Sequence, residues 1–547
     1  MQGRRVHEGG LLGSSDVDRG RPLTLSRRHV LAGGLTAGTA TIIATPASAS
    51  TLTAAGPVRT SPFALGVASG DPTPTGVVLW TRLAVEPLAA DGRGGMPTRD
   101  ITVQWEVADN ARMHRPVARG AARARAADAH SVHVEVEGLR SGREYWYRFR
   151  VDGHLSPVGR TRTAPRRDEM PASLAMSAAS CANWGAGFFT AYRYLADDGP
   201  DLVLHLGDYQ YEGKGTTNPA APRVHAGDET VTLEGYRLRH AQYKTDPDLQ
   251  TAHAIAPWLV VWDDHEVDNN WAGGVPQDAK APEWNDTPER FLARRANAFR
   301  AYYENMPLRR SSIPRGSDMQ IYRRLGWGRL ASFHMLDTRQ YRDDQACDDG
   351  WDTNCEAALD PSRTITGAAQ EQWLREGLSR SGARWDFLGQ QVFFAQRDGK
   401  VEQDLLHTSN DAWDGYVGSR DRVTRAWMDA GVRNPVVLTG DVHKHWAADI
   451  RTDYADADSP VVGTELVASS ITSGGNGSAT WSDPIMAWNP HLKFSGDQRG
   501  YVRATVTPAG MRADFRSVDR VTTRGGASYT QASFEVADGQ RGLQRVG

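Results

Sequence analysis

The chain has 547 residues, 39% hydrophobic and 24% charged, with a formal net charge of -3. That length suits two or three domains and a sizeable core, and the charge balance argues against the extended basic surface of a nucleic-acid-binding protein. Residues 1–49 carry six Arg against three acids, so the remainder is more acidic than the total suggests.

The first element is a leader. Arg27-Arg28 precede an uncharged segment over 32–45, and Pro46-Ala47-Ser48-Ala49 supplies small residues for cleavage. Residues 1–49 are therefore expected to be a twin-arginine signal peptide engaging the twin-arginine translocon, because the segment falls short of the roughly 18 to 20 apolar residues of a membrane span. The expected location is secreted or cell-wall associated. Outside the cytoplasm, three cysteines make an informative odd count. Cys347 and Cys355 bracket an acidic loop and are spaced for a local disulfide, which leaves Cys181 alone.

Residues 61–163 read as an all-β module. Strand alternation recurs over 76–82, 101–107, 131–136 and 144–150, with turn residues between, and the run Gly138 to Tyr145 resembles the tyrosine corner of immunoglobulin-like and fibronectin-like sandwiches. Residues 164–171, Pro-flanked and charged, are the expected linker.

From 172 to 536 strands alternate with helices, the pattern of an α/β domain with parallel strands. Strands are expected at 173–179, 202–206, 258–262, 330–336, 385–393, 435–438 and 465–470. Helices are expected at 188–196, 234–243, 290–303, 368–379 and 422–430. Sites in such folds form beyond the carboxyl ends of the strands. There the sequence reads Ser180-Cys181-Ala182-Asn183, Gly207-Asp208-Tyr209-Gln210-Tyr211, Asp263-Asp264-His265-Glu266, Asp337-Thr338-Arg339 and Gly440-Asp441-Val442-His443. One polar strand end is a cap or a turn; five in succession, rich in thiol, carboxylate, phenol and imidazole, point to a multinuclear metal site.

Gly-Asp-x-x-Tyr at 207–211, Trp262-Asp263-Asp264-His265-Glu266 and Thr439-Gly440-Asp441-Val442-His443 together resemble the metallophosphoesterase superfamily and, within it, the PhoD-type alkaline phosphatases. The resemblance spans nearly the whole mature chain. It implies a four-layer αββα catalytic domain behind an immunoglobulin-like or fibronectin-like β-sandwich, and an Fe3+ ion with Ca2+ beside it. By motif, Cys181, Asp208, Tyr211 and His443 would hold iron, with Asp208 bridging, and Asp264 and Asp441 would lie on the calcium side. Thiolate, phenolate and carboxylate favour a trivalent Lewis acid, and a carboxylate-rich second set suits a hard cation. The chain departs from related dimetal phosphatases by placing Asp264 where they use Asn and Asp441 where they use His. Asn269 or Asn270 is a possible supplement to the second set.

The implied activity is hydrolysis of phosphate mono- or diesters by a metal-activated hydroxide, without a protein nucleophile. Arg339 is the expected clamp on phosphate oxygens, against the alternative of an ion pair with a neighbouring acid. His265 is the expected aid to the substrate or leaving group, against a structural hydrogen bond. Rival readings are a phospholipase D-like diesterase acting on phospholipid, and a secreted binding module with a structural metal site.

Overall fold

The apolar run Leu202–Leu206 forms a strand buried at every residue, as a strand covered on both faces must be. It pairs in parallel with Leu174–Ala182 on one side and Pro257–Val261 on the other. The computed structural model describes residues 57–277, 285–401, 405–456 and 458–547; the expected signal peptide over 1–49 lies outside the described residues. No helix among the described residues is long and apolar enough to cross a membrane.

These three strands are the centre of an 11-stranded sheet. On the side of Leu174–Ala182 the sheet continues through three antiparallel strands, Arg499–Val506, Gly510–Val518 and Ser528–Ala537. A second, seven-stranded sheet has Ala331–Met335, Trp385–Gly389, Pro435–Thr439 and Val461–Val467 in parallel at its middle.

Side-chain alternation shows how the layers meet. In the second sheet, Phe387, Val436 and Leu438 join the same core as Leu204, Leu206 and Val261 of the first. Leu388 and Val437 point the other way, into a core shared with Leu374 and Leu378 of the helix Gly367–Ser379 and Val423 and Trp427 of the helix Val417–Asp429. The other face of the first sheet meets helices: the Tyr192 hydroxyl of Thr190–Asp197 lies 2.8 Å from His205 Nε2. Trp262 stacks on Phe299 of the helix Pro288–Asn305 at 4.2 Å. The molecule is thus a mixed α/β protein with several sheets.

The segment expected as an all-β module over 61–163 is joined to the rest through a shared sheet. Strands Val67–Gly70, Val77–Arg82 and Ser131–Val136 extend the 11-stranded sheet, Val67–Gly70 pairing in parallel with Pro257–Val261. Their Val67, Val77, Leu79, Val132 and Val134 pack on Val103, Val107, Tyr147 and Phe149 of a separate five-stranded sheet. The physical reason is that Val77–Arg82 is buried on both faces: Trp80 Nε1 donates to the Glu304 carbonyl and Arg82 Nη1 to that of Arg237. A strand apolar on both sides needs two covering layers, and a lone sandwich offers one. The expected linker therefore does not interrupt the compact unit Pro57–Gly547. The tyrosine corner is present: Arg140 N donates to the Tyr145 hydroxyl at 2.9 Å.

The helix Pro247–Ile255 escaped the sequence reading, although Asp246 caps it by accepting from Asp248 N and Leu249 N with Pro at its first position, a standard start signal. Cys347 and Cys355 form a disulfide, and Cys181 is free and buried.

Candidate metal centre

The expected ligands stand in or after the last residues of parallel strands, and the two sheets bring those ends together. Cys181 closes Leu174–Ala182, Asp208 follows Leu202–Leu206, Asp264 follows Pro257–Val261, and Asp441 and His443 follow Pro435–Thr439. Three overlapping groups result, within each of which the ligand atoms lie inside 4.8 Å of one another: Cys181 with Asp208 and His443, Asp208 with Asp264 and His265, and Asp263 with Asp264 and Asp441. The Tyr211 hydroxyl completes the first, 2.9 Å from His443 Nε2. Asp208 and Asp264 each belong to two groups, so the set is continuous.

The backbone is bent to achieve this. Cys181, Asp208, Asp441 and His443 all have φ between 53° and 61°, a left-handed conformation uncommon for residues other than Gly and concentrated at functional sites. At Gly207, with φ 107°, an added Cβ would lie 2.4 Å from that of Asp263, so only Gly lets the Asp208 turn lie against the Asp263 turn.

One residue whose role the sequence did not show fixes the two turns. Glu266 is buried, and its carboxylate accepts the N–H groups of Asp208 at 3.0 Å, Tyr209 at 2.6 Å and Asp263 at 2.8 Å. Burial pushes its pKa up to about 7 against those hydrogen bonds. It stood in view in the Asp263 to Glu266 run, but nothing local reveals that two of its three partners lie 58 and 57 residues upstream.

The electrostatics call for a cation. Asp208, Asp263 and Asp264 are almost wholly buried, and Asp263 Oδ2 has no hydrogen-bond partner. Burial, reinforced by neighbouring acids, pushes Asp208 well above the carboxylate range and Asp441 to about 7. Burial likewise raises the Cys181 thiol and the Tyr211 phenol. Asp264 is pulled down: burial opposes ionisation, but Arg339 and His265 outweigh it. Such a cluster of anionic donors is compensated by metal ions. A thiol, a phenol, an imidazole and carboxylates are donors that fit them.

The structure corrects one expected role. Arg339 does not present a free clamp. It is fully buried; its Nε donates to Asp263 at 2.6 Å, and Nη1 and Nη2 fork onto Asp411 at 2.7 and 3.0 Å. The guanidinium is spent holding carboxylates, with Asp264 and Asp441 at 3.8 and 3.9 Å. Asp411 also takes Arg342 at 2.9 Å; it arrives from a loop more than 70 residues along the chain, which no motif announces.

His265 lies at the site. Its Nδ1 donates to Glu212 Oε2 at 2.7 Å with the side chain 20% exposed, and its ring centroid is 4.1 Å from that of Tyr211. Burial disfavours its charge, but Glu212, Asp264 and Asp208 prevail and hold it protonated well above the usual imidazole range. Asn270 supports Asp264 through its main chain, N to Oδ2 at 2.7 Å, and Asn269 N donates to Glu212 at 3.2 Å.

The chain is similar to known proteins over most of its length. A family model described as PhoD-like phosphatase matches residues 174–515, and one described as PhoD-like phosphatase, N-terminal domain, matches residues 47–165. Alkaline phosphatase D of Bacillus subtilis (strain 168) is 46% identical over 490 residues, which cover 89% of this chain and 82% of that protein. A solved structure of PhoD superposes with a TM-score of 0.86 at 45% identity, covering 90% of this chain and 94% of the other.

Proposed function

The chain belongs to the PhoD-like phosphatase family and is a phosphoric ester hydrolase, and on that premise we propose that it is an exported alkaline phosphatase and phosphodiesterase working through Fe3+ and Ca2+. The observation that carries this reading is the continuity of the three ligand groups through Asp208 and Asp264. Cys181, Asp208, Tyr211 and His443 would hold Fe3+, with Asp208 shared, and Asp264 and Asp441 would hold Ca2+. Asp263, with its unpartnered oxygen, lies on the same side. Such ions, when bound, neutralise phosphoryl charge and acidify water. We read the two helix-covered sheets as the four-layer αββα arrangement, and the five-stranded sheet facing Val67–Gly70, Val77–Arg82 and Ser131–Val136 as an immunoglobulin-like sandwich.

The protein's own groups then divide the work. Glu266 holds the Asp208 and Asp263 turns in register. Arg339 offsets the charge of the crowded carboxylates Asp263, Asp264, Asp411 and Asp441 and, against burial, holds Asp264 and Asp411 below the usual carboxylate range. His265, tied at Nδ1 to Glu212, has Nε2 left to hold a proton for a phosphoryl or leaving-group oxygen. No side chain is needed as nucleophile.

The test is hydrolysis of para-nitrophenyl phosphate, bis-para-nitrophenyl phosphate and phosphatidylcholine, with metal analysis of the same protein. Turnover lost to a calcium chelator and restored by Ca2+ is expected. No turnover of any ester by iron-loaded protein would remove the reading, and turnover of phosphatidylcholine alone would replace it by the phospholipase D-like one. Export through the twin-arginine translocon predicts that Arg27→Lys with Arg28→Lys retains the precursor inside the cell; unchanged secretion would refute it.

A further inference from the structure

The cations around the centre are nearly all committed. Arg339 and Arg342 share Asp411, and Arg499 donates to main-chain oxygens of His443, Gly474 and Gly475. Lys444 lies 4.1 Å over the Trp481 ring and 3.5 Å from Asp483. Arg397 differs. Its Nε is buried without a hydrogen-bond partner, and its guanidinium forms no ion pair among the described residues; what it has are aromatic faces, Trp351 at 4.7 Å and Phe393 at 4.8 Å.

Its position follows from the fold. The segment carrying it leaves the strand Trp385–Gly389 at the end where the ligands gather, and Gly440 N donates to Gln391 O at 2.8 Å. Val442, between Asp441 and His443, packs on the cluster that contains Phe393, Ala395 and Trp446. The main chain of Arg397 is anchored by its own N–H to Asp414 Oδ2 at 2.9 Å. Asp441 is among the acids whose field reaches the guanidinium, with Asp414, Asp483 and Glu465, and none of them makes an ion pair with it.

A guanidinium lying over two aromatic rings, with no acid among the described residues paired to it, offers N–H donors that suit the oxygens of a phosphate. Leaving such a charge unpaired and partly buried is costly, and an arriving anion removes that cost. We propose that Arg397, in place of Arg339, grips the phosphoryl oxygens of the substrate at the Asp441 side of the centre. The inference rests on the phosphoesterase reading of that centre.

The experiment uses the full mature chain loaded with its metals, as wild type, Arg397→Ala, Arg397→Met and Arg397→Lys. Steady-state hydrolysis of para-nitrophenyl phosphate and inhibition by inorganic phosphate are measured beside metal content and thermal midpoint. Met fills the aromatic slot without a charge and separates packing from binding. In Arg397→Ala and Arg397→Met, KM and the inhibition constant of phosphate should rise about 10- to 100-fold, the range of one or two charge-assisted hydrogen bonds. Metal content should stay full, and Arg397→Lys should recover part of the loss. An Arg397→Met enzyme with full metals and unchanged KM and phosphate inhibition overturns the inference, as does one that loses its metals. If the wild type hydrolyses no ester, it is the phosphoesterase reading that falls; an active wild type beside an unaffected variant removes only the role of Arg397.

Discussion

The Tyr211 hydroxyl lies 2.9 Å from Asp208 Oδ2, three residues back along the same turn. Phenol and carboxylate therefore face one point from one tight piece of chain, and burial keeps both from ionising on their own. Tyr211→Phe and Cys181→Ala should each lose iron and the visible charge-transfer absorption that phenolate and thiolate give to Fe3+. Metal analysis and an absorption spectrum check this, and either variant keeping full colour and iron would refute its ligand assignment.

Glu266→Gln keeps shape and removes charge. An amide offers one acceptor oxygen and sets N–H groups against the main-chain donors it should receive. At least one buried donor loses its partner, at a cost of about 1 to 3 kcal/mol. The expected result is a lower denaturation midpoint together with weaker metal retention, since the two turns it ties carry Asp208 and Asp264. A variant as stable and as metal-loaded as the wild type would show the three hydrogen bonds to be dispensable.

Arg339→Met should destabilise the protein by about 3 to 5 kcal/mol, the usual cost of leaving buried charges without their partner. Because the guanidinium is fully buried among Asp263 and Asp411, Arg339→Lys should not rescue: an ammonium cannot reproduce the fork. Urea unfolding of the three proteins measures this, and full rescue by Lys would argue that only the charge matters.

Acid stability follows from two histidines away from the centre, one half-buried and one buried. Burial lowers His133, stacked on Tyr303 at 4.5 Å, and His491, bonded to the Gln396 carbonyl, to about 4 from an ordinary 6.5. Between those values the unfolded chain binds protons that the folded one refuses, so stability falls as pH drops from 6.5 toward 4. Thermal midpoints across that range should decline, and His133→Gln should lessen the slope. A slope identical to that of the wild type would exclude His133 as a contributor.

Much of the site was legible because parallel strands are short apolar runs whose ends are abrupt. Leu202 to Leu206 stops at Gly207-Asp208, and Pro435 to Thr439 at Gly440-Asp441, so ligand types at strand ends could be read directly. What stayed hidden depends on distance along the chain. Asp411 reaches Arg339 from 72 residues away and Asp263 from 76, and those contacts turn an expected substrate clamp into an internal counter-ion. The left-handed backbone at Cys181 and His443 has no sequence signal either, since neither is a Gly or an Asn. The strand period over 76–82 was correctly read, but burial on both faces was not weighed, so the sharing of one sheet between the two halves was missed.

That sharing bears on how the protein can be made and cut. A fragment beginning near residue 172 would keep every proposed metal ligand yet strip Val67–Gly70 from Pro257–Val261, the strand that leads into Asp263 and Asp264. It would present a raw, wholly apolar edge, open to pairing with other chains. The N-terminal strands thus act as a built-in guard of that edge against pairing with other chains.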